Sequence, residues 1–142
     1  MTNYLGYQRK PHYYETDQMG IVHHSNYIRW FEEARADLLD FMDLPYHTIE
    51  EAGIIIPVLD VSCQYKGMVH YGDQLTIQVY VEQYTGTRFQ FRYEIINEQT
   101  KKLVTTGTSS HCFLDQVRQR PLSLKRSYPE FHARFIEQFG EK

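Results

Sequence analysis

The sequence predicts an α+β fold in which an antiparallel β-sheet wraps around one long central helix. Residues 26–42 place apolar side chains at helical spacing, and from Ile54 onward the apolar period changes from about 3.6 to 2. The links between the later runs are short, which favours antiparallel hairpins over helical crossovers. The expected order is β-α-β-β-β-β followed by a C-terminal helix.

An N-terminal strand is expected over residues 7–15. In NYIRWFEEARADLLDFM, residues 26–42, a helix is read from Tyr27, Trp30, Phe31, Ala34, Leu38 and Phe41 on one face, with Arg29, Glu32, Glu33, Arg35 and Asp37 filling the other turns. Ser25 stands where an N-cap is wanted, and Leu44-Pro45 closes the far end. Thr48 to Glu51 has the capping-box pattern of a short helix that ends at Gly53.

Four strands follow. Leu59, Val61, Cys63 and Tyr65 alternate with polar residues in VLDVSCQYK, as do Leu75, Ile77, Val79 and Val81 in QLTIQVYVE and Phe89, Phe91, Tyr93 and Ile95 in RFQFRYEI. The run KLVTTGTSSHCFL is small on both faces, and Gly107 in its middle points to a bulge or to a neighbour packed closely against a central strand. The four are expected to meander through the links KGMVHYGD, YTG and NEQTK. Ser127 to Glu130 is a second capping box, with the stripe Phe131, Phe135, Phe139 behind it. Helix and sheet must each bury a face against the other, and a single sheet layer leaves edges open, so a homo-oligomer, dimer or tetramer, is expected.

Length and composition narrow the function classes. A chain of 142 residues has the size of one domain, residues 1–142, and 42% hydrophobic with 15% aromatic content excludes long disorder. A net charge of −3 gives no general attraction to nucleic acid. No apolar run approaches the roughly 20 residues that span a bilayer, and MTNYLGYQRKPHYYE lacks the order of a signal peptide, so a cytoplasmic protein is expected. Cys63 and Cys112 have no CxxC spacing and are read as buried free thiols.

The segment with the most chemistry is YYETDQMGIVHHSNYIRWFEEAR, residues 13–35. Asp17 falls in the loop before the helix, Gly20 permits a tight turn, and His23, His24 and Ser25 lead into the first helical turn. A helix N-terminus offers unpaired amides and partial positive charge, which can polarise a carbonyl, and a carboxylate beside it could attack that carbonyl or deprotonate a water. An Asp before a helix is also a common Asx-turn residue. Adjacent histidines point in different directions, so no metal site is expected.

Asp17, Gly20, Ile21, Val22, His24, Asn26 and Tyr27 match a signature of the form D-x-x-G-[IV]-V-x-[HY]-x-N-Y, seven positions in an eleven-residue window. The segment thereby resembles the 4-hydroxybenzoyl-CoA thioesterase family, including YbgC-type acyl-CoA thioesterases, and the element order agrees with that family's hotdog fold. Gln18 and Met19 stand where the family often has small residues.

The resemblance implies an acyl-CoA thioesterase with Asp17 as nucleophile or general base. An amide near His24 would polarise the thioester carbonyl, and the His24 side chain would help place substrate or water. Gly20, Asn26 and Tyr27 are read as support for the loop and helix. CoA phosphates need cations, and the resemblance directs attention to Arg88, Arg118, Arg120 and Lys125, with Thr108, Ser109 and Ser110 along the pantetheine path. The thioester is then substrate, no cofactor is expected, and an acyl carrier protein is a second candidate partner. Two rival readings are a hotdog hydratase or dehydratase, whose D-x-N-P-x-H string is absent here, and a non-catalytic acyl-CoA or acyl-carrier-protein binding module.

Overall fold

An amphipathic helix and a half-apolar sheet can only be buried against each other. The computed structural model describes residues 4–139 and shows that arrangement. Helix α1 (Ser25–Phe41) buries Tyr27, Trp30, Phe31, Ala34 and Leu38, the face its spacing predicts. Phe41 instead lies exposed near the end of the helix, its ring 5.4 Å from that of Tyr4.

Strands β1 (Tyr7–Arg9), β3 (Val58–Tyr65), β4 (Leu75–Tyr84), β5 (Arg88–Asn97) and β6 (Lys102–Cys112) form one antiparallel sheet in the order β1-β4-β5-β6-β3. A small second sheet pairs β2 (Ile54–Ile55) with β7 (Leu114–Asp115). In β5 the alternation holds as read: Phe89, Phe91, Tyr93 and Ile95 are buried. Phe31 of α1 stacks on Tyr93, centroids 4.3 Å apart and planes 8° apart, and also lies directly over Gly107 of β6. A Cβ at Gly107 would fall 2.5 Å from the Phe31 ring, so the glycine marks the close approach foreseen in the sequence.

Several elements differ from expectation. The first strand ends at Arg9 rather than at residue 15, because Pro11 cannot donate to a ladder; the chain turns instead through a 3₁₀ helix, Tyr13–Glu15, that swings Glu15 inward. Ser25 does not cap α1 but begins it. Its hydroxyl pairs with His23 Nδ1 at 2.9 Å, and His24 before it is already in helical conformation. Helix α2 (Tyr46–Glu51) starts after Pro45, so Thr48 lies inside it. Ser127 likewise closes a short helix, α3 (Leu124–Ser127), capped by Ser123, whose hydroxyl accepts from the Arg126 amide; α4 (Pro129–Phe139) then begins at its proline. Within α4, Phe135 is buried and Phe131 and Phe139 are partly buried.

The strands do not form a simple meander. β3 pairs with β6, and both β6 and β5 stand between it and β4, so the 66–74 link crosses the sheet instead of making a hairpin. Its Val69 is wholly buried and accepts from the Val22 amide at 2.8 Å, contacts a tight turn could not make. β3 is consequently an edge strand with both faces largely open: Val58 and Tyr65 are 50% and 49% exposed. Both cysteines are free, Cys112 buried and Cys63 partly so. Among the described residues no helix is long and apolar enough to cross a membrane.

Between α1 and the sheet lies a buried polar chain. Arg35 Nη1 donates to Tyr93 Oη at 3.2 Å, Tyr93 and Ser109 hydroxyls pair at 2.5 Å, and Ser109 Oγ pairs with His111 Nε2 at 2.7 Å. Burial, followed by the nearby Arg35 charge, lowers the His111 pKa to about 4. The folded state therefore holds this imidazole neutral, whereas the unfolded chain protonates it near its ordinary value of about 6.5. Stability attributable to His111 is present above pH 6.5 and is lost as pH falls toward 4, on the order of 3 kcal/mol in all. Urea unfolding at intervals across that window should show the loss in the parent and a flatter profile in His111→Gln; parallel profiles would contradict the assignment.

Candidate active site

The loop between the 3₁₀ helix and α1 is a closed hairpin. Thr16 bridges Val22, the Asp17 amide donates to Ile21 O at 2.9 Å, and the Gly20 amide donates to Asp17 O at 3.0 Å. Gly20 takes φ +77°, the left-handed conformation glycine adopts at no steric cost. The outer limb is fastened to the 66–74 link, where Ile21 bridges His70. Asp17 is thereby fixed, half-buried, at the start of a loop whose other end runs into α1.

Its carboxylate has one local duty: Oδ1 accepts from the Met19 amide at 2.8 Å, the Asx turn anticipated from sequence. Oδ2 accepts no hydrogen bond among the described residues. At the helix start the Ser25 amide donates to His23 Nδ1 and the Asn26 amide to His23 O, whereas the His24 amide has no acceptor among the described residues. A donor at a helix N-terminus with no acceptor is what a polarised carbonyl oxygen requires. The His24 ring is exposed and, against the expectation that adjacent histidines point apart, lies stacked on His23 at 4.2 Å because the chain turns into the helix there; the His24 carbonyl accepts from Tyr65 Oη at 3.1 Å.

Asn26 and Tyr27 lie at the base of the loop. Asn26 is buried and its Nδ2 donates to Glu15 O at 2.9 Å and to His23 O at 3.3 Å, tying the two ends of the loop. Tyr27 packs edge-on against Tyr65 and beside Trp30; burial pushes its phenol up to about 12, so it stays neutral.

Sequence reasoning missed the clamp beneath this loop. Glu15 is 3% exposed, and its carboxylate accepts from Arg9 Nη1 and Nη2, the His12 amide and Trp30 Nε1, at 2.9, 2.8, 2.6 and 2.9 Å. Burial opposes its ionisation, but the hydrogen bonds from Arg9, His12 and Trp30 outweigh it and hold the carboxyl below its usual range. Arg9 also pairs with Glu33 at 2.8 Å and lies 5.3 Å above the Trp30 ring. The one available signal was Trp30 on the apolar face, since a buried indole N–H must find an acceptor. Tyr65, read only as a strand residue, had no such signal.

The proposed CoA cations form a separate group. Arg88 opens β5, and the turn before it is locked to α3, where Leu124 N donates to Gly86 O at 2.8 Å, and to the 113–122 segment, where Phe113 N donates to Thr87 O at 3.1 Å. Arg118 and Arg120 occupy the exposed loop of that segment and Lys125 lies on α3. Arg88 pairs with Cys112 and Tyr65, which donates to His24 O, pairs with Thr105, so these two anchor points stand toward opposite ends of β6, roughly 23 Å apart along the strand at about 3.3 Å per residue. Of the small residues between, Thr108 pairs with Ser62 at 2.6 Å on the outer face, while Ser109 is buried in the polar chain and turned away from it. Among the described residues no three His, Cys, Asp or Glu side chains converge as metal ligands.

An antiparallel sheet packed around one long helix is the hotdog arrangement of thioesterases. The chain belongs to the thioesterase-like superfamily, whose profile matches residues 11–135. It is 34% identical over 123 residues to the putative acyl-CoA thioesterase YneP of Bacillus subtilis, covering 87% of this chain and 88% of that one. It is 24% identical over 118 residues to the acyl-CoA thioester hydrolase YbgC of Escherichia coli, covering 83% and 87%. Among solved structures, a DHNA-CoA thioesterase from Staphylococcus aureus superposes with a TM-score of 0.86 at 34% identity, covering 92% of this chain and 87% of that one.

Proposed function

We propose that this chain hydrolyses acyl-CoA thioesters to a free acid and CoA, with Asp17 as the reacting carboxylate. The observation behind this reading is Asp17 with a free Oδ2 in a closed loop that ends at the unpaired His24 amide. The amide draws electron density onto the carbonyl oxygen while Asp17 attacks the carbonyl carbon or takes a proton from an attacking water. The C–S bond then breaks and the CoA sulfur takes up a proton; where Asp17 itself attacks, a water next cleaves the Asp17–acyl anhydride, releasing the acid and restoring the carboxylate. Gly20, Asn26 and Tyr27 hold the loop and helix start, and the exposed His24 ring borders the reacting atoms.

The names of the B. subtilis and E. coli relatives favour CoA as carrier, and the S. aureus structure extends the acyl range to an aromatic group. Arg88, Arg118, Arg120 and Lys125 are the candidate contacts for CoA phosphates, and an acyl carrier protein is an alternative donor of the thioester. The chain acts as a single domain, in the cytoplasm, without a cofactor. The open edge of β3 pairs with a second copy, which extends the sheet and covers Val58, Leu59 and Tyr65.

The test is release of free thiol from a panel of thioesters: aliphatic acyl-CoAs of increasing length, benzoyl- and naphthoyl-type CoAs, and an acylated carrier protein. Saturable hydrolysis of at least one acyl-CoA is expected. Binding across the panel without any thiol release would sink the reading in favour of a non-catalytic module.

A further inference from the structure

We propose that Glu15 is a positioning residue for the reaction at Asp17, acting through the Arg9–Glu15–Trp30 clamp that fixes the Asp17 loop against the start of α1. The inference rests on the reading of Asp17 as the reacting carboxylate. Glu15 joins five places at once. Its side chain binds Arg9 of β1, the His12 amide and the Trp30 indole in the second turn of α1. Its carbonyl oxygen accepts from the His23 amide at 2.8 Å and from Asn26 Nδ2 at 2.9 Å. Residues 16–22 therefore leave and return to a single anchored residue, and both the carboxylate and the helix start take their positions from it.

A buried carboxylate is costly unless its oxygens are fully hydrogen-bonded. Here each oxygen takes two donors: Oε1 from Arg9 Nη1 and the His12 amide, Oε2 from Arg9 Nη2 and Trp30 Nε1. Glutamine cannot substitute, because its NH₂ would face one of those donor pairs. Relaxation of the clamp shifts the Asp17 loop relative to the His24 amide, and displacement of reacting groups by about 1 Å costs about 100-fold in rate.

The test uses the full chain carrying Glu15→Gln, and separately Trp30→Phe, each alone and combined with Asp17→Asn. Glu15→Gln is expected to lower kcat on a hydrolysed acyl-CoA by about 10- to 100-fold, with KM changed by less than about threefold. In the Asp17→Asn background it should remove nothing further from the residual rate, because its effect passes through Asp17. An equal loss in both backgrounds, or a rise in KM at unchanged kcat, overturns the positioning role. Full turnover in Asp17→Asn alone overturns the reading of Asp17 and this proposal with it; loss there with unchanged kcat in Glu15→Gln overturns only the proposal.

A substrate-independent measurement accompanies the kinetics. Hydrogen exchange at the Asp17, Gly20 and His23 amides should accelerate by at least about tenfold in Glu15→Gln while β5 amides keep their parent rates. Unchanged loop exchange contradicts the proposal. If Glu15→Gln does not fold, Trp30→Phe tests the clamp from its other side, since it removes the Nε1 donor while keeping a smaller aromatic ring in the core, and leaves Glu15 and Arg9 in place.

Discussion

Asp17→Asn is expected to lower kcat for thioester hydrolysis by about 10²- to 10⁴-fold while leaving the fold and CoA binding intact. Asparagine keeps an Oδ1 that can accept from the Met19 amide, so the Asx turn and the hairpin of residues 16–22 survive. It lacks the charge needed either to attack the carbonyl or to accept a proton from water. Thiol-release kinetics, a melting curve and calorimetric titration with CoA separate the outcomes. Parental turnover in the variant would remove Asp17 from the reaction. Loss of both turnover and CoA binding with a lowered melting temperature would instead mark Asp17 as structural.

Gly107→Ala is expected to destabilise the chain by about 3 kcal/mol or more, and valine by more still. The added Cβ would meet Phe31 Cε2 at 2.5 Å, Phe31 Cζ at 2.6 Å and the Ser62 carbonyl oxygen at 2.7 Å. None of these yields easily: Phe31 is stacked on Tyr93 and wholly buried, and Ser62 O belongs to the backbone of β3. For a chain of this length the loss corresponds to roughly 10 °C in Tm. Shortening the opposing ring in Phe31→Leu should recover part of it, so the double variant should be less damaged than the two single losses together predict. Additive losses in thermal or urea unfolding would show that the Phe31–Gly107 contact is not the cause.

Helix α1, strands β4 and β5 and the aromatic face they share were legible because their apolar residues repeat at the periods of helix and strand. Gly107 was legible too, since a glycine inside a β-rich run implies a close neighbour, although only the fold identified that neighbour as Phe31. The caps were read less well. Ser25, Thr48 and Ser127 each have the right residue type, yet His23, Pro45 and Pro129 decided where the helices begin. In the site, Asp17, Gly20 and Asn26 stood out as a motif, whereas Arg9 and Glu15 did not, because a buried ion pair leaves no periodic trace in a sequence.

The sequence by itself determined the element types and the one loop with chemical promise, because local propensity, hydrophobic period and a contiguous motif all act over a few residues. Tertiary structure decided what depends on distant partners. It placed β3 beside β6 instead of β4, left β3 as an open edge, and buried Glu15 between Arg9 and Trp30. It also set Arg88 toward the opposite end of β6 from Tyr65, which donates to His24 O. Strand order and ion pairing are choices among residues tens of positions apart, and only the packing of the whole chain selects between them.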